Sequence, residues 1–213
     1  MGAMSYLTTA LLIGILSLDT TIAFQVLLSQ PIFSCSILGW LLGDFQLGME
    51  IGAMMQLLWL NVVPVGATVF PEGNLASMVT CALVLHFAPL GQPNTVLLVG
   101  IVMGMGVSFL GDRFTVYDRK LNQYFFNLSL RAAEQGSYRG VVWWDVTGVV
   151  VYFLLMSLLA YGALLAGDGV ITLLQHTTTA RLEQQLMFVR PALWGAGIGL
   201  TGHMVWRAFT HRS

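Results

Sequence analysis

The stretch that decides the fold is residues 30–72, QPIFSCSILGWLLGDFQLGMEIGAMMQLLWLNVVPVGATVFPE. It is apolar enough to lie in a membrane, but glycine, proline and polar residues interrupt it. A helix from Pro31 to Gly43 would be about 20 Å long, whereas the hydrocarbon core of a bilayer is about 30 Å thick. Residues 49–63 are too short for the same reason. Because lipid does not accept unpaired backbone groups, the breaks predict two re-entrant half-helices that line a cavity enclosed by protein.

Polar side chains lie among the leucines, methionines and tryptophans of this hairpin region. If residues 48–60 are helical, Glu50 and Asn61 are three turns apart and share a face, which Gln46 joins if the helix begins before Gly48. Gln56 points roughly 120° away from Glu50, so the polar groups form two stripes. We expect one stripe to face the cavity and the other a neighbouring subunit. Polar clusters inside membranes are usually functional; the alternative is that these groups only satisfy broken backbone.

The composition of the whole chain indicates an all-α, polytopic integral membrane protein. Of 213 residues, 56% are hydrophobic and 9% are charged, with a mean hydropathy of +0.77. A soluble domain is about 25% charged. The net charge of −1 argues against a nucleic-acid partner. No linker or charge run divides the chain, so residues 1–213 are predicted to form one membrane domain.

Three regions follow one another within this domain. Residues 6–110 are predicted to hold the first helices, beginning with a span at residues 6–28 and including the hairpin region. Residues 111–139 carry five of the nine basic residues and an apolar stripe, which predicts a cytoplasmic amphipathic helix at the membrane surface. Residues 140–207 are predicted to contain two further spans, separated by a turn at residues 167–169 and a surface segment.

Single polar groups outside the hairpin region are mostly assigned structural roles; Asn74, for example, is predicted to be the N-cap of a helix over residues 75–87. Asp19 lies inside the first predicted span, where a charge costs roughly 2.5–3.5 kcal/mol, so it should face protein or water. We favour a helix-packing carboxylate bonded to a neighbouring backbone or hydroxyl group over a substrate ligand. Cys35 and Cys81 lack metal-ligand spacing and are interpreted as buried free thiols. We expect no metal and no other cofactor, and no motif for covalent catalysis occurs in the sequence.

A family resemblance is carried by one ungapped succession of motifs. The segments at residues 43–48 (GDFQLG), 51–53 (IGA), 56–60 (QLLWL), 66–67 (GA) and 71–72 (PE) follow one another in order. Together they resemble the glycine-rich hairpin of enzyme IIC, the membrane subunit of mannose/fructose/sorbose-type sugar phosphotransferase systems. The resemblance extends over residues 6–207 and is strongest over residues 30–77.

The resemblance implies a sugar permease subunit of the bacterial inner membrane. A hexose would bind in the polar hairpin cavity and be phosphorylated at the cytoplasmic side by enzyme IIB. Enzymes IIA and IIB carry the phosphoryl groups, so none is expected on this chain. An enzyme IID-like membrane subunit is the expected partner within the bilayer, in an oligomer. Sugar hydroxyls need paired donors and acceptors, and the predicted contacts are Asp44, Gln46, Gln56 and Asn61, followed by Glu50 and Glu72.

The sequence also departs from the family pattern, which leaves alternatives open. Gln30 stands where the family usually has arginine, Gln56 where glutamate is frequent, and Glu50 where an apolar residue is usual. The resemblance implies about two more apolar segments after Arg207, so the chain is interpreted as shortened at its C-terminus. The alternative function is therefore a non-transporting membrane interaction or regulatory protein that keeps this fold. A third, more distant alternative is an intramembrane enzyme that uses Asp19 and Asp44.

Overall fold

The computed structural model describes residues 4–20, 22, 25–60 and 71–210. Most of these residues are helical and none of them lies in a strand, which confirms the predicted all-α class. Short 3-10 turns follow three of the helices, at Leu18–Thr20, Ala88–Leu90 and Leu186–Phe188. The α-helices of the described ranges are α1 (Tyr6–Ser17), α2 (Pro31–Leu42), α3 (Phe45–Trp59), α4 (Gly73–Phe87), α5 (Pro93–Glu134), α6 (Tyr138–Gln175), α7 (Ala180–Gln185) and α8 (Val189–Thr210).

The hairpin formed by α2 and α3 consists of two short helices, as predicted. Their 12 and 15 residues correspond to lengths of about 18 and 22 Å, so neither helix can cross a hydrocarbon core of about 30 Å. Gly43 ends α2 in the left-handed conformation, with φ of 100°. The Asp44 carboxylate then caps α3 by accepting a hydrogen bond from the Leu47 amide at 2.9 Å. Helix α3 therefore begins four residues earlier than predicted.

Glycines allow α2 and α3 to pack with their backbones in contact. A Cβ atom on Gly48 would lie 2.5 Å from the Cys35 carbonyl oxygen and 2.7 Å from the Gly39 Cα. Further along, a Cβ on Gly52 would lie 2.5 Å from the Pro31 carbonyl oxygen. Side chains cannot fit between backbones at these separations, so the glycines set the interhelical distance.

Two of the predicted helix boundaries lie inside long, continuous helices. Helix α5 has 42 residues and α6 has 38, which correspond to about 63 and 57 Å, roughly twice the hydrocarbon thickness. The prediction of a separate helix beginning at Gly111 is wrong, because residues 111–134 continue α5. The predicted turn at residues 167–169 is also wrong, because α6 continues through it. Within the described residues, Gly73–Leu90, α5 and α6 are long and apolar enough to cross a membrane.

A change in composition did not end α5 at residue 111, and the glycines at residues 167–169 did not end α6, because Gly111 and Gly167 serve close packing. A Cβ on Gly111 would lie 2.9 Å from the Glu72 Cβ, and one on Gly167 would lie 2.6 Å from a Leu83 methyl carbon. Each glycine therefore admits a neighbouring helix without ending its own. Asp168, beside Gly167, remains helical and accepts a hydrogen bond from the Tyr6 hydroxyl at 3.2 Å.

The first predicted span is also shorter than expected. Helix α1 ends at Ser17 and a 3-10 turn carries the chain to Thr20, so a continuous helix through Leu28 is wrong. The Asp19 carboxylate, 4% exposed, accepts hydrogen bonds from the Val26 amide at 2.7 Å and the Ser29 amide at 2.9 Å. The expected bonds to neighbouring backbone are present, but Asp19 lies in the 3-10 turn and binds a loop instead of packing one helix against another.

The helices pack around α4, which contributes the most buried residues to the core. Helix α1 runs antiparallel to α6, since Tyr6 contacts Asp168 and Gly14 contacts Phe153 and Ser157. Helices α5 and α6 also pack antiparallel, since Gln92 before α5 contacts Gln175 at the end of α6 and Asn122 contacts Gly148. Cys35 and Cys81 are buried free thiols in this core, as predicted.

Helix α8 runs parallel to α3 on the outside of the hairpin. Its Arg190 contacts Glu50, and a Cβ on Gly197 would lie 2.8 Å from the Leu57 Cβ. Both helices thus advance by seven residues between their two contacts, in the same direction. The beginning of α3 therefore lies on the same side of the protein as the beginning of α8.

A carboxylate from α7 ties α7 to the beginning of α5. Glu183 accepts hydrogen bonds from the Asn94 amide at 2.6 Å, the Thr95 amide at 3.1 Å and the Thr95 hydroxyl at 2.6 Å. These groups lie in the first turn of α5, whose free amides favour negative charge. Burial opposes ionisation of Glu183, but the donated hydrogen bonds outweigh it and hold the pKa of this carboxyl below its usual range.

We expect Glu183→Gln to lower thermal stability at pH 7, because the neutral amide loses the charge that α5 favours. The loss should be about 0.3–1 kcal/mol, as for other charges at helix N-termini. Since the folded pKa lies below the unfolded value, this stability is present above the unfolded pKa and disappears as the pH falls through the folded pKa. Melting temperatures in detergent between pH 7 and pH 3 should therefore converge for wild type and variant. A constant difference at all pH values would contradict this assignment.

Candidate functional site

The predicted contact residues are divided between the two ends of the hairpin. Asp44 and Gln46 lie at the turn between α2 and α3, and both are exposed. Gln56 lies 12 residues beyond Asp44, about 18 Å further along the helix axis. The predicted residues therefore do not form one cluster. Asn61 lies outside the described residues.

Gln56 belongs to a polar group at the open end of the hairpin, where α2 begins and α3 ends. Its side-chain Nε2 donates a hydrogen bond to Oε1 of Gln30 at 3.0 Å. Its Oε1 accepts one from the Ile32 amide, in the first turn of α2, at 3.4 Å. Both glutamines are partly buried. The two amides therefore face each other across the mouth of the hairpin.

The loop before α2 brings a second polar pair to the same end. The buried Ser29 accepts a hydrogen bond at its Oγ from Asn74 Nδ2 at 3.4 Å. The expectation that Asn74 caps α4 is wrong, because α4 begins at Gly73 with Glu72 at its cap position. The Asn74 side chain turns towards the hairpin instead. We name the set Ser29, Gln30, Gln56 and Asn74 the open-end cluster.

Glu72 lies at the same end of the hairpin but faces α5. Its carboxylate accepts a hydrogen bond from the Thr115 hydroxyl at 2.8 Å, and its amide donates to the Ser108 carbonyl at 3.1 Å. These contacts show that the open end lies level with residues 108–115 of α5. Beyond this level α5 continues into the segment that carries Arg119 and Lys120. The open end therefore faces the side of the protein on which the basic residues lie.

Glu50 makes an interhelical ion pair rather than joining the open-end cluster. Its carboxylate lies 3.1 Å from the Arg190 guanidinium of α8, and both side chains are 32% exposed. Gln46 and Glu50 do share a face of α3, as their spacing predicts, because α3 begins at Phe45. The partner of Glu50 could not be inferred from the sequence, since it lies 140 residues away.

Sequence reasoning missed three members of the open-end cluster. Gln30 was noted only as a departure from a family pattern, and Asn74 was assigned to a helix cap. Ser29 gave no signal of its own. The available signal was the position of Gln30 directly before Pro31, since a proline in the first turn marks the start of a helix. The start of one half-helix must lie near the end of the other in a hairpin, which places Gln30 near Gln56.

The chemistry of the open-end cluster suits a neutral polyhydroxyl ligand. Glutamine and asparagine amides each supply two donors and an acceptor, and the bonds between Gln30 and Gln56 use only part of this capacity. Within the described residues, no group of three or more His, Cys, Asp or Glu side chains could hold a metal ion.

A separate open groove lies at the start of α6, close to the turn that joins α5 and α6. It is lined by Tyr138, Arg139, Val142, Trp143 and Val146.

Comparison with known sequences identifies the family. The sequence model described as the PTS system sorbose-specific IIC component matches residues 3–210. The chain belongs to this family. The membership confirms the resemblance to enzyme IIC, and with the apolar helices it confirms a membrane protein of the phosphotransferase system type.

Individual enzyme IIC relatives align with part of the chain. The sorbose-specific EIIC component of Lacticaseibacillus casei is 30% identical over 129 residues, which are 61% of this chain and 44% of that protein. The mannose-specific EIIC component of Escherichia coli K12 is 26% identical over 120 residues, 56% of this chain and 43% of that protein. The alignments thus span less than half the length of these relatives.

Solved structures share the enzyme IIC fold of this chain. One, described as the structure of a membrane protein, has a TM-score of 0.68 and 20% identity, covering 94% of this chain and 77% of that one. A second is a chain of the mannose transporter ManYZ in complex with microcin E492, with a TM-score of 0.66 and 18% identity. The match covers 96% of this chain and 81% of the ManYZ chain. These similarities establish the fold alone.

Proposed function

We propose that this protein is a sugar-translocating enzyme IIC subunit of a phosphoenolpyruvate-dependent phosphotransferase system. The observation that carries the proposal is family membership over residues 3–210, combined with a cluster of amides at the hairpin mouth. In the proposed mechanism a hexose binds at this mouth, becomes exposed to the cytoplasm and is phosphorylated there by enzyme IIB. Enzyme IIA supplies the phosphoryl group to enzyme IIB, and this chain carries none.

The geometry of the hairpin supports binding at its open end. Gln30 and Gln56 present donors and acceptors towards each other, as neighbouring sugar hydroxyls require. Ser29 and Asn74 extend the same polar surface by one more hydrogen bond. Asn61 stays a proposed contact on the sequence argument alone, because it lies outside the described residues. Asp44 and Gln46 lie at the other end of α3, so a ligand small enough to be one hexose could not contact both groups.

The placement of charge supports a cytoplasmic exit from this site. The open end lies beside the part of α5 that precedes Arg119 and Lys120. Basic residues next to membrane spans are enriched on the cytoplasmic side. We therefore propose a multi-pass protein of the bacterial inner membrane whose open-end cluster is oriented towards the cytoplasm, where a phosphorylated enzyme IIB could reach a bound sugar.

The proposed partners follow from the relatives and from the surface. One structure with this fold is a chain of the mannose transporter ManYZ, and we propose an enzyme IID-like membrane subunit for this chain, in an oligomer within the lipid bilayer. Helix α8 supports this, because only Val189 and Gly197 of its residues are buried. Its exposed apolar side chains include Ile198, Trp206 and Phe209. Such a helix needs lipid or another membrane subunit around it.

The test is sugar binding and uptake by the full chain purified with its native membrane partners. In vesicles that also receive the soluble phosphotransferase components, we expect uptake and phosphorylation of mannose, sorbose or fructose, the sugars named in relatives of this chain. Vesicles without enzyme IIB provide the control and should bind sugar without phosphorylating it. If the complete complex binds none of the three sugars, the non-transporting interaction protein becomes the better interpretation.

A further inference from the structure

We infer that Asp19 is a positioning residue for the open-end cluster: its buried carboxylate holds the loop at residues 25–30 in the conformation that presents Ser29 and Gln30. The inference rests on the proposed sugar site and adds to it a residue that would not contact the sugar. It differs from the role of Asp19 in ending α1, because it assigns an effect on ligand affinity.

Asp19 binds the loop through both of its carboxylate oxygens. One carboxylate oxygen accepts the Val26 amide at 2.7 Å and the other accepts the Ser29 amide at 2.9 Å. The carboxylate thus binds near both ends of the loop. Hydrogen bonds of amides to an ionised carboxylate are among the stronger hydrogen bonds in proteins. The two bonds fix the Ser29 backbone, and Gln30 follows it directly in the chain.

The loop needs such a restraint because two of its residues adopt an unfavourable backbone conformation. Gln25 has φ of 52° and Leu27 has φ of 71°. Residues other than glycine rarely adopt this left-handed conformation, and each instance costs free energy that the surrounding contacts must offset. The loop also makes one internal turn, in which the Gln30 amide donates to the Leu27 carbonyl at 3.0 Å. A loop without the Asp19 bonds would relax to other conformations.

The loop also contributes side chains to the open-end cluster. Ser29 accepts from Asn74 of α4, and Gln30 accepts from Gln56 of α3. The loop therefore supplies two of the four members of the open-end cluster, while α3 and α4 supply one each. A ligand that binds to all four would lose affinity if two of them became mobile, because binding would then have to order the loop. Asp19 is in this way coupled to the site without touching it.

The experiment measures sugar affinity and amide hydrogen exchange for the full chain in its native membrane complex. Asp19→Asn keeps the side-chain size but replaces one acceptor oxygen by a donor that faces a backbone amide. We expect faster exchange in residues 25–30 and about a tenfold loss of affinity for the sugar that the wild type binds. Ser17→Ala is the matched control, since the buried Ser17 hydroxyl donates to its own helix at Ile13; both readouts should remain at wild-type values.

A double-mutant cycle separates positioning from general destabilisation. Because Asp19 acts in part through Gln30, Asp19→Asn should cost clearly less affinity when Gln30 is already alanine than it costs in the wild type, and the remainder should come from Ser29. Equal losses in both backgrounds, unchanged affinity in Asp19→Asn, or an equal loss in Ser17→Ala would each overturn the inference. If the wild type binds no sugar, the proposed function fails and the inference falls with it, whereas wild-type binding with an insensitive Asp19→Asn overturns the inference alone.

Discussion

Gly48→Ala should destabilise the protein by about 3 kcal/mol or more, at the upper end of the range for overpacked positions. The new Cβ would lie 2.5 Å from the Cys35 carbonyl oxygen and 2.7 Å from the Gly39 Cα. Both neighbours are backbone atoms of α2, so no side chain can rotate to make room. The two half-helices would have to separate along their whole contact, which would also displace Gln56 from Gln30.

The measurement is the melting temperature of purified protein in detergent, together with the yield of folded protein from membranes. Gly106→Ala is the control, because a Cβ at Gly106 of α5 meets open space. In a helix, alanine is favoured over glycine by roughly 0.5–1 kcal/mol, so this variant should be slightly more stable than wild type. Wild-type stability of Gly48→Ala would show that the hairpin helices are not in backbone contact.

Gln56→Leu should lower the affinity for sugar by roughly tenfold to a hundredfold. The substitution keeps most of the side-chain volume but removes the amide that bonds to Gln30 and Ile32. Each lost hydrogen bond is worth roughly 0.5–1.5 kcal/mol, and an unpaired buried partner costs about 1–3 kcal/mol, while 1.4 kcal/mol corresponds to a factor of ten. Titration of the purified complex with the transported sugar measures the effect.

Two control variants make the result specific for the open end. Gln46→Leu makes the same chemical change in the same helix, but at the turn of the hairpin, and should leave affinity nearly unchanged. Ser77→Ala removes a hydroxyl that donates to the Gly73 carbonyl of its own helix at 2.6 Å and should also have little effect. If Gln46→Leu weakens binding and Gln56→Leu does not, the sugar site lies at the turn, among the other predicted residues.

The short helices of the hairpin could be predicted from the sequence because the argument depended only on length and on helix-ending residues. Pro31, Gly43 and Asp44 are a helix start, a helix end and a cap, and such signals act locally. The boundary predicted at residue 111 came from a change in composition, and a change in charge does not by itself end a helix. The boundary at Gly167 was wrong for a different reason: a glycine that ends a helix and a glycine that admits a neighbouring helix look alike in sequence, and only the position of Leu83 distinguishes them.

The candidate site could be predicted only in part, for a similar reason. The spacing of Gln46 and Glu50 correctly indicated a shared face of α3, but a face does not reveal its partner. Arg190 is the partner of Glu50, and Gln30 is the partner of Gln56. Each of these pairs depends on how distant segments pack, which residue spacing within one helix does not encode.

The contact between α1 and α6 has a consequence for how the protein is made. Tyr6 and its partner Asp168 are separated by 162 positions, and chains grow at about 5–20 residues per second, so Tyr6 is synthesised roughly 8–30 s before its partner. Helix α1 and both half-helices are too short to cross the bilayer alone. We therefore expect α1, α2 and α3 to remain at the translocation machinery or the membrane surface until the later helices offer them a binding surface.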